Sequence, residues 1–126
     1  MSVHEVISKY YEFVNAGEWE RWMELFDEHF VMDEQLAGHI EGRERLRAIV
    51  GNIHRVFSCF QNHPWRIVVD GKQAFVASHL VAASASGEPI KAEVANYFLV
   101  ENGRIVYMSN FHDSKPFAPV LNQEQG

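Results

Sequence analysis

Over the first seventeen residues apolar side chains recur at helical spacing. Val3, Val6, Ile7, Tyr10 and Val14 fall on one stripe, which predicts an amphipathic helix. Ser2 followed by Glu5 matches a capping box, worth about 1 kcal/mol at a helix start. Asn15-Ala16-Gly17 ends the stripe, with Gly17 suited to a left-handed cap. "EWERWMELFDEHF" restarts as a second short helix with Trp19, Trp22, Met23 and Phe26 on one side. Residues 30–36, "FVMDEQL", alternate as a short strand. Gly38 and Gly42 bracket a loop. A third helix then carries Leu46, Ile49, Val50, Ile53, Val56, Phe57 and Phe60 inward and closes before Pro64.

From Trp65 onward the period changes from helix to strand. "WRIVV", "QAFVASHLVAASA", "EPIKAEVANYFLV" and "RIVYMSNFHD" are separated by Asp70-Gly71, Ser86-Gly87 and Asn102-Gly103. Such pairs between strand-like runs are strong hairpin signals, so four strands should form an antiparallel meander. Helices first and a hairpin-rich sheet afterwards make an α+β domain. The domain is expected over residues 1–117, with 118–126 a frayed tail.

Register decides which side chains meet. Two-residue turns at Ser86-Gly87 and Asn102-Gly103 place Phe75, Ala77, His79, Val81, Val94, Asn96, Phe98, Ser109, Phe111 and Asp113 on one face. That face is apolar with a few convergent polar groups, the composition of a ligand cavity. The opposite face, with Tyr97, Leu99 and Met108, is also apolar, which predicts a homodimer through the outer sheet face. A β-bulge in the last hairpin would exchange Ser109, Phe111 and Asp113 for Met108, Asn110 and His112. His112 and Asp113 thus point to opposite faces, and only one of them can face the cavity.

Composition narrows the functional classes. The chain has 126 residues, 47% apolar and 13% aromatic, enough for one packed core. Net charge is −6 and the basic residues form no stripe, so no nucleic-acid partner is expected. No apolar run reaches a membrane span, and the N-terminus lacks the signature of a secretory signal, so the expected compartment is the cytoplasm. Cys59, the single cysteine, sits in an apolar run and reads as a buried small hydrophobe. "HEVIS" starts like a zincin helix but has Ser8 in place of the second histidine. Neither a metal set nor a GxSxG elbow, P-loop or GxGxxG loop is present, which points to a cofactor-free site.

"YYEFVNAGEWERWMELF", "EGRERLRAIV" and "NGRIVYMSNFHD" resemble the SnoaL-like polyketide cyclases and ketosteroid isomerase-like members of the nuclear transport factor 2-like superfamily. The resemblance spans nearly the whole chain. It implies a cone-shaped, curved antiparallel sheet packed on three N-terminal helices. The steroid isomerases carry a tyrosine that matches Tyr10, a base that falls at Glu34 with Asp33 one step off, and a protonated acid that falls at Asn96. The cyclases carry an acid/base aspartate that matches Asp113. Asn96 departs from the pattern because an amide cannot act as an acid, although it can still donate a hydrogen bond.

Proton abstraction beside a carbonyl needs a base and a donor for the developing oxyanion. Asp113, Glu34 or His112 is the candidate base, and Tyr10 and Asn96 are candidate donors. Trp22, Phe57, Phe60, His79, Phe98 and Phe111 are candidate substrate-binding residues. Each also has a plain structural reading: Tyr10 as core, Asn96 as a satisfied strand amide, Glu34 as an edge charge, and Asp113 as a turn cap. The expectation is a pocket for a small hydrophobic carbonyl compound, such as a polyketide, steroid or terpenoid, turned over by isomerase- or cyclase-like proton transfer. Epoxide opening and non-catalytic ligand binding or dimerisation are the alternatives.

Overall fold

The computed structural model describes residues 1–125, with side chains through Leu121. Helix α1 (Val3–Ala16) starts at the expected capping box: the Glu5 N–H donates to Ser2 Oγ at 3.1 Å, and the Ser2 N–H donates back to Glu5 Oε1 at 3.4 Å. It ends at Gly17, where the N–H groups of Gly17 and Glu18 reach the carbonyls of Val14 and Phe13. Helix α2 (Trp19–Met23) follows at once.

Six strands form one curved sheet in the order β2-β1-β6-β5-β4-β3. They are β1 (Phe26–Glu34), β2 (Gly38–Glu41), β3 (Phe57–Asp70), β4 (Gln73–Ser84), β5 (Pro89–Glu101) and β6 (Arg104–Phe111). All neighbours are antiparallel except β1 and β6, which run parallel. The helices-then-sheet order and the meander match expectation. The parallel pair adds β1 beside β6, and residues 38–41, expected as a loop, pair with β1.

The third helix is shorter than its apolar spacing implied. Helix α3 (Arg43–Val50) stops at Gly51-Asn52, and one turn, α4 (Ile53–Val56), follows. Residues 57–64 are strand. Phe57 and Phe60 satisfy a three-residue spacing and also a strand with a bulge, and β3 shifts register between Phe57 and Cys59. Period alone does not separate those cases in a short apolar run. Pro64 needs no ladder partner on its outer side because β3 is an edge strand, and it lies at a second bulge. Cys59 is exposed, not buried, because that bulged strand end turns it out of the core.

The exposed edge of β3 is covered by a side chain rather than a strand. Asn15 Nδ2 donates to the Asn62 carbonyl at 2.8 Å, and the Asn62 N–H donates to Asn15 Oδ1 at 2.7 Å. The Asn15 amide thus repeats the pattern of a neighbouring strand and ties the end of α1 to the sheet. Gln61 Nε2 adds a bond to the Asn15 carbonyl at 2.9 Å.

Two clusters make the interior. One joins Val6, Ile7 and Tyr11 of α1 to Phe26, Phe30 and Phe98. The other joins Leu80, Ile90 and Val94 to Phe117 and Val120, which arrive on a 3-10 turn (Lys115–Phe117) and helix α5 (Ala118–Gln125). The expectation of a frayed tail concerned 118–126; its side chains beyond Leu121 lie outside the described residues. Asn15→Ala removes both bonds to the β3 edge and should lower unfolding stability by about 1–3 kcal/mol, read in urea unfolding.

Candidate active site

A cavity of about 280 Å³ opens between the helices and the inner face of the sheet, lined by members of both clusters. Two register events decide its chemistry. The β4–β5 connection is three residues long rather than two. Ala83 lies opposite Pro89, the Ser84 N–H donates to the Glu88 carbonyl, and Gly87 takes φ 91°. A three-residue loop with a left-handed glycine is the next commonest hairpin after the two-residue turns. Relative to expectation, β4 turns over. His79 therefore lies on the outer face. It pairs with Glu93 at 2.7 Å and stacks on Trp65.

The second event lies in the last hairpin. Asn102-Gly103 forms the expected turn, with both residues at positive φ (53° and 76°) as a type I′ turn requires. A bulge between Leu99 and Val100 then shifts β6 by one residue. Met108, Asn110 and His112 line the cavity, while Phe111 is 51% exposed on the outside. Asp113 is outside too: its carboxylate accepts from the Lys115 N–H at 3.0 Å and caps the 3-10 turn. The bulge answers the choice between the neighbours His112 and Asp113, and His112 faces inward.

On β5 the expected face holds, with Val94, Asn96 and Phe98 pointing in. Phe98 is fully buried beneath the cavity, edge-on to Tyr10 at 5.0 Å between centroids, so it supports the wall without lining it. Trp22, Phe57 and Phe60 line the cavity, as do Tyr10, Glu34, Asn96 and His112.

Glu34 and Asp33, adjacent on β1, face opposite ways. Asp33 takes a hydrogen bond from the Tyr107 hydroxyl at 2.6 Å and pairs with His39 at 2.7 Å, and these partners hold its carboxyl below the usual range. Glu34 turns inward, with 20% of its side chain exposed. Its Oε2 accepts from the N–H groups of Leu36, at 2.6 Å, and Ala37. Its Oε1 accepts from Asn110 Nδ2 at 3.1 Å and lies 3.8 Å from His112 Nε2. Asn110, reached only by allowing for the bulge, bridges the two elements, since its Oδ1 also accepts from the Gln35 N–H at 2.9 Å.

The His112 side chain is only 2% exposed. Its Nδ1 lies 2.9 Å from the Asp113 carbonyl oxygen, which can only accept. The hydrogen of the neutral ring therefore sits on Nδ1, and Nε2 carries the lone pair beside Glu34. Phe117 packs on the ring at 4.7 Å between centroids and keeps its orientation.

Tyr10 and Tyr11 are both deep. Burial pushes the Tyr10 phenol well above its ordinary value, with Tyr11 and the Glu34 charge adding to the rise. Burial raises Tyr11 as well, opposed by Asn96 and Ser78. Asn96 Nδ2 donates to the Tyr11 hydroxyl at 2.8 Å, and its buried carbonyl has no partner among the described residues. Turning the amide over would exchange the roles, with Tyr11 donating. Either way half of Asn96 is committed to Tyr11, a neighbour that the sequence reading did not single out. Among the described residues no group of three metal-ligating side chains occurs.

Because both phenols are raised, each favours folding below pH 10 and withdraws that support as pH climbs through the unfolded value. Absorbance titration of phenolate should show Tyr10 and Tyr11 ionising only as the fold is lost. Tyr11→Phe should remove one of those late transitions.

Residues 7–108 match the SnoaL-like domain family. No curated protein matches the chain in sequence. Among solved structures, a nuclear transport factor 2-like protein of unknown function from Burkholderia pseudomallei superposes with a TM-score of 0.87 at 14% identity, over 95% of this chain and 98% of its own. TerC, co-crystallised with polyporic acid, superposes at 0.85 and 13% identity over the same shares. A proposed polyketide cyclase from Pseudomonas putida superposes at 0.80 and 20% identity, again over 95% and 98%. At such identities these likenesses speak to fold alone. With four-fifths of its length matched and a curved sheet wrapped round an inner cavity like that of nuclear transport factor 2-like proteins, the chain belongs to the SnoaL-like domain family.

Proposed function

We propose that the cavity carries out cofactor-free proton transfer next to the carbonyl of a small hydrophobic substrate, in the manner of an isomerase or cyclase. The carrying observation is one histidine–carboxylate pair in an otherwise largely apolar chamber: His112 Nε2, bearing the lone pair, 3.8 Å from Glu34 Oε1. In this reading His112 Nε2 takes the proton from the carbon beside the carbonyl. The Glu34 carboxylate steadies the imidazolium that results. The Tyr10 hydroxyl, kept protonated by burial, donates to the developing oxyanion. For an isomerisation the proton then returns from Nε2 to a second carbon, which shifts the double bond; for a cyclisation the enolate carbon attacks a second carbonyl of the substrate, and the proton goes from Nε2 to the oxygen of that carbonyl as the ring bond forms. The polyporic acid co-crystallised with TerC, and the polyketide cyclase activity proposed for the Pseudomonas putida protein, support a substrate built on a carbonyl-bearing ring.

A second reading has its own support. Glu34 also ties down the β1–β2 turn through the Leu36 and Ala37 N–H groups, a purely structural service. The same cavity then holds an apolar ligand without turning it over.

A homodimer through the outer sheet face belongs to either reading. Trp65, Val68, Phe75, Val81 and Phe111 are each at least 42% exposed there, beside the ring row Phe75–Tyr97–Tyr107. An exposed apolar face of that kind marks an interaction surface. A monomer in sedimentation at micromolar concentration would refute the dimer.

Deuterium exchange into 2-tetralone, followed by NMR, tests the chemistry. Wild type should catalyse it, and His112→Gln and Glu34→Gln should each lower the rate by about 10²–10⁴-fold. Asp113→Asn should leave the rate unchanged. Exchange that survives in His112→Gln rejects this base, and no exchange by wild type favours the binder.

A further inference from the structure

The cavity lining holds polar groups that the proton-transfer site does not use. Asn62 sits on the inward row of β3 next to Phe60 and opposite Leu80 of β4, a place where an aliphatic residue would pack. It is 6% exposed. Its backbone is fully engaged by Asn15, but its side-chain carbonyl has no partner among the described residues. Trp22 Nε1, on the helix that follows the Asn15 end of α1, is buried and also without a partner. Both residues line the cavity.

An unpartnered polar group left in such a place costs about 1–3 kcal/mol. Neither group hydrogen-bonds to the fold among the described residues. A hydroxyl is a small group that can donate to the Asn62 side-chain carbonyl.

Size sets the rest. A cavity of about 150 Å³ holds benzene, so about 280 Å³ corresponds to two rings and falls short of a four-ring steroid. Three strand spacings, about 14 Å, separate β6 from β3. A two-ring compound with its carbonyl end in contact with His112 Nε2 and its hydroxyl hydrogen-bonded to Asn62 has that reach.

We propose that Asn62 forms a second polar subsite that reads a hydroxyl on the substrate, so that the ligand class is a flat, two-ring hydroxy-ketone with its carbonyl end at His112 and its hydroxyl at Asn62. The orientation rests on the acid/base reading above; the subsite itself does not.

Calorimetric binding of 2-tetralone and 6-hydroxy-2-tetralone tests this. Wild type should bind the hydroxylated ketone roughly tenfold more tightly. Asn62→Leu should bring the two to equal affinity. Asn62→Leu should also melt at or above the wild-type temperature, because it removes an unpartnered amide. Equal affinities in wild type, a preference that survives Asn62→Leu, a lower melting temperature for that variant, or binding of neither ketone would each overturn the proposal. Preference without deuterium exchange would keep the subsite and reject the acid/base reading. Exchange without preference would do the reverse.

Discussion

The bulge between Leu99 and Val100 is the constraint on which the interior chemistry depends. Side chains alternate along a strand, so one extra residue reverses every assignment beyond it. Asn110 and His112 enter the cavity, and Phe111 and Asp113 leave it. The rest of the pair follows. Asn110 reaches Glu34 and the Gln35 N–H, which orients the carboxylate, and Phe117 folds back onto His112.

Polar groups in this cavity are of two kinds. Glu34, Asn110 and His112 are held by bonds from backbone and from each other, so their geometry is set before anything binds. Asn62, Asn96 and Trp22 each keep a buried atom without a partner among the described residues. The first kind adds order to the fold. The second draws on its stability, which leaves room for stabilising substitutions at the expense of recognition.

Much of the architecture was legible in the sequence. The capping box, the Gly17 stop, the Asn102-Gly103 turn and the inward face of β5 all follow from local chemistry, and they appear as expected. The errors lie on either side of β5. A three-residue loop differs from a two-residue turn only in which glycine neighbour is used, and a bulge leaves no mark on composition. Each moves a strand by one residue, which put His79, Phe111 and Asp113 on the wrong face. Residues 57–64 failed for another reason, because short apolar runs with phenylalanines three apart fit helix and bulged strand alike. Tyr10, Glu34 and Asn96 were reached by resemblance, and Asn62 offered no signal, since an asparagine between Gln61 and His63 looks like any solvated strand residue.

The family match stops at residue 108, yet Asn110, His112, Phe117 and Val120 all come after it and line or close the chamber. The matched segment therefore supplies the vessel together with Tyr10, Glu34 and Asn96, and the stretch after it adds Asn110 and His112. A reading of this chain confined to residues 7–108 would leave the histidine out.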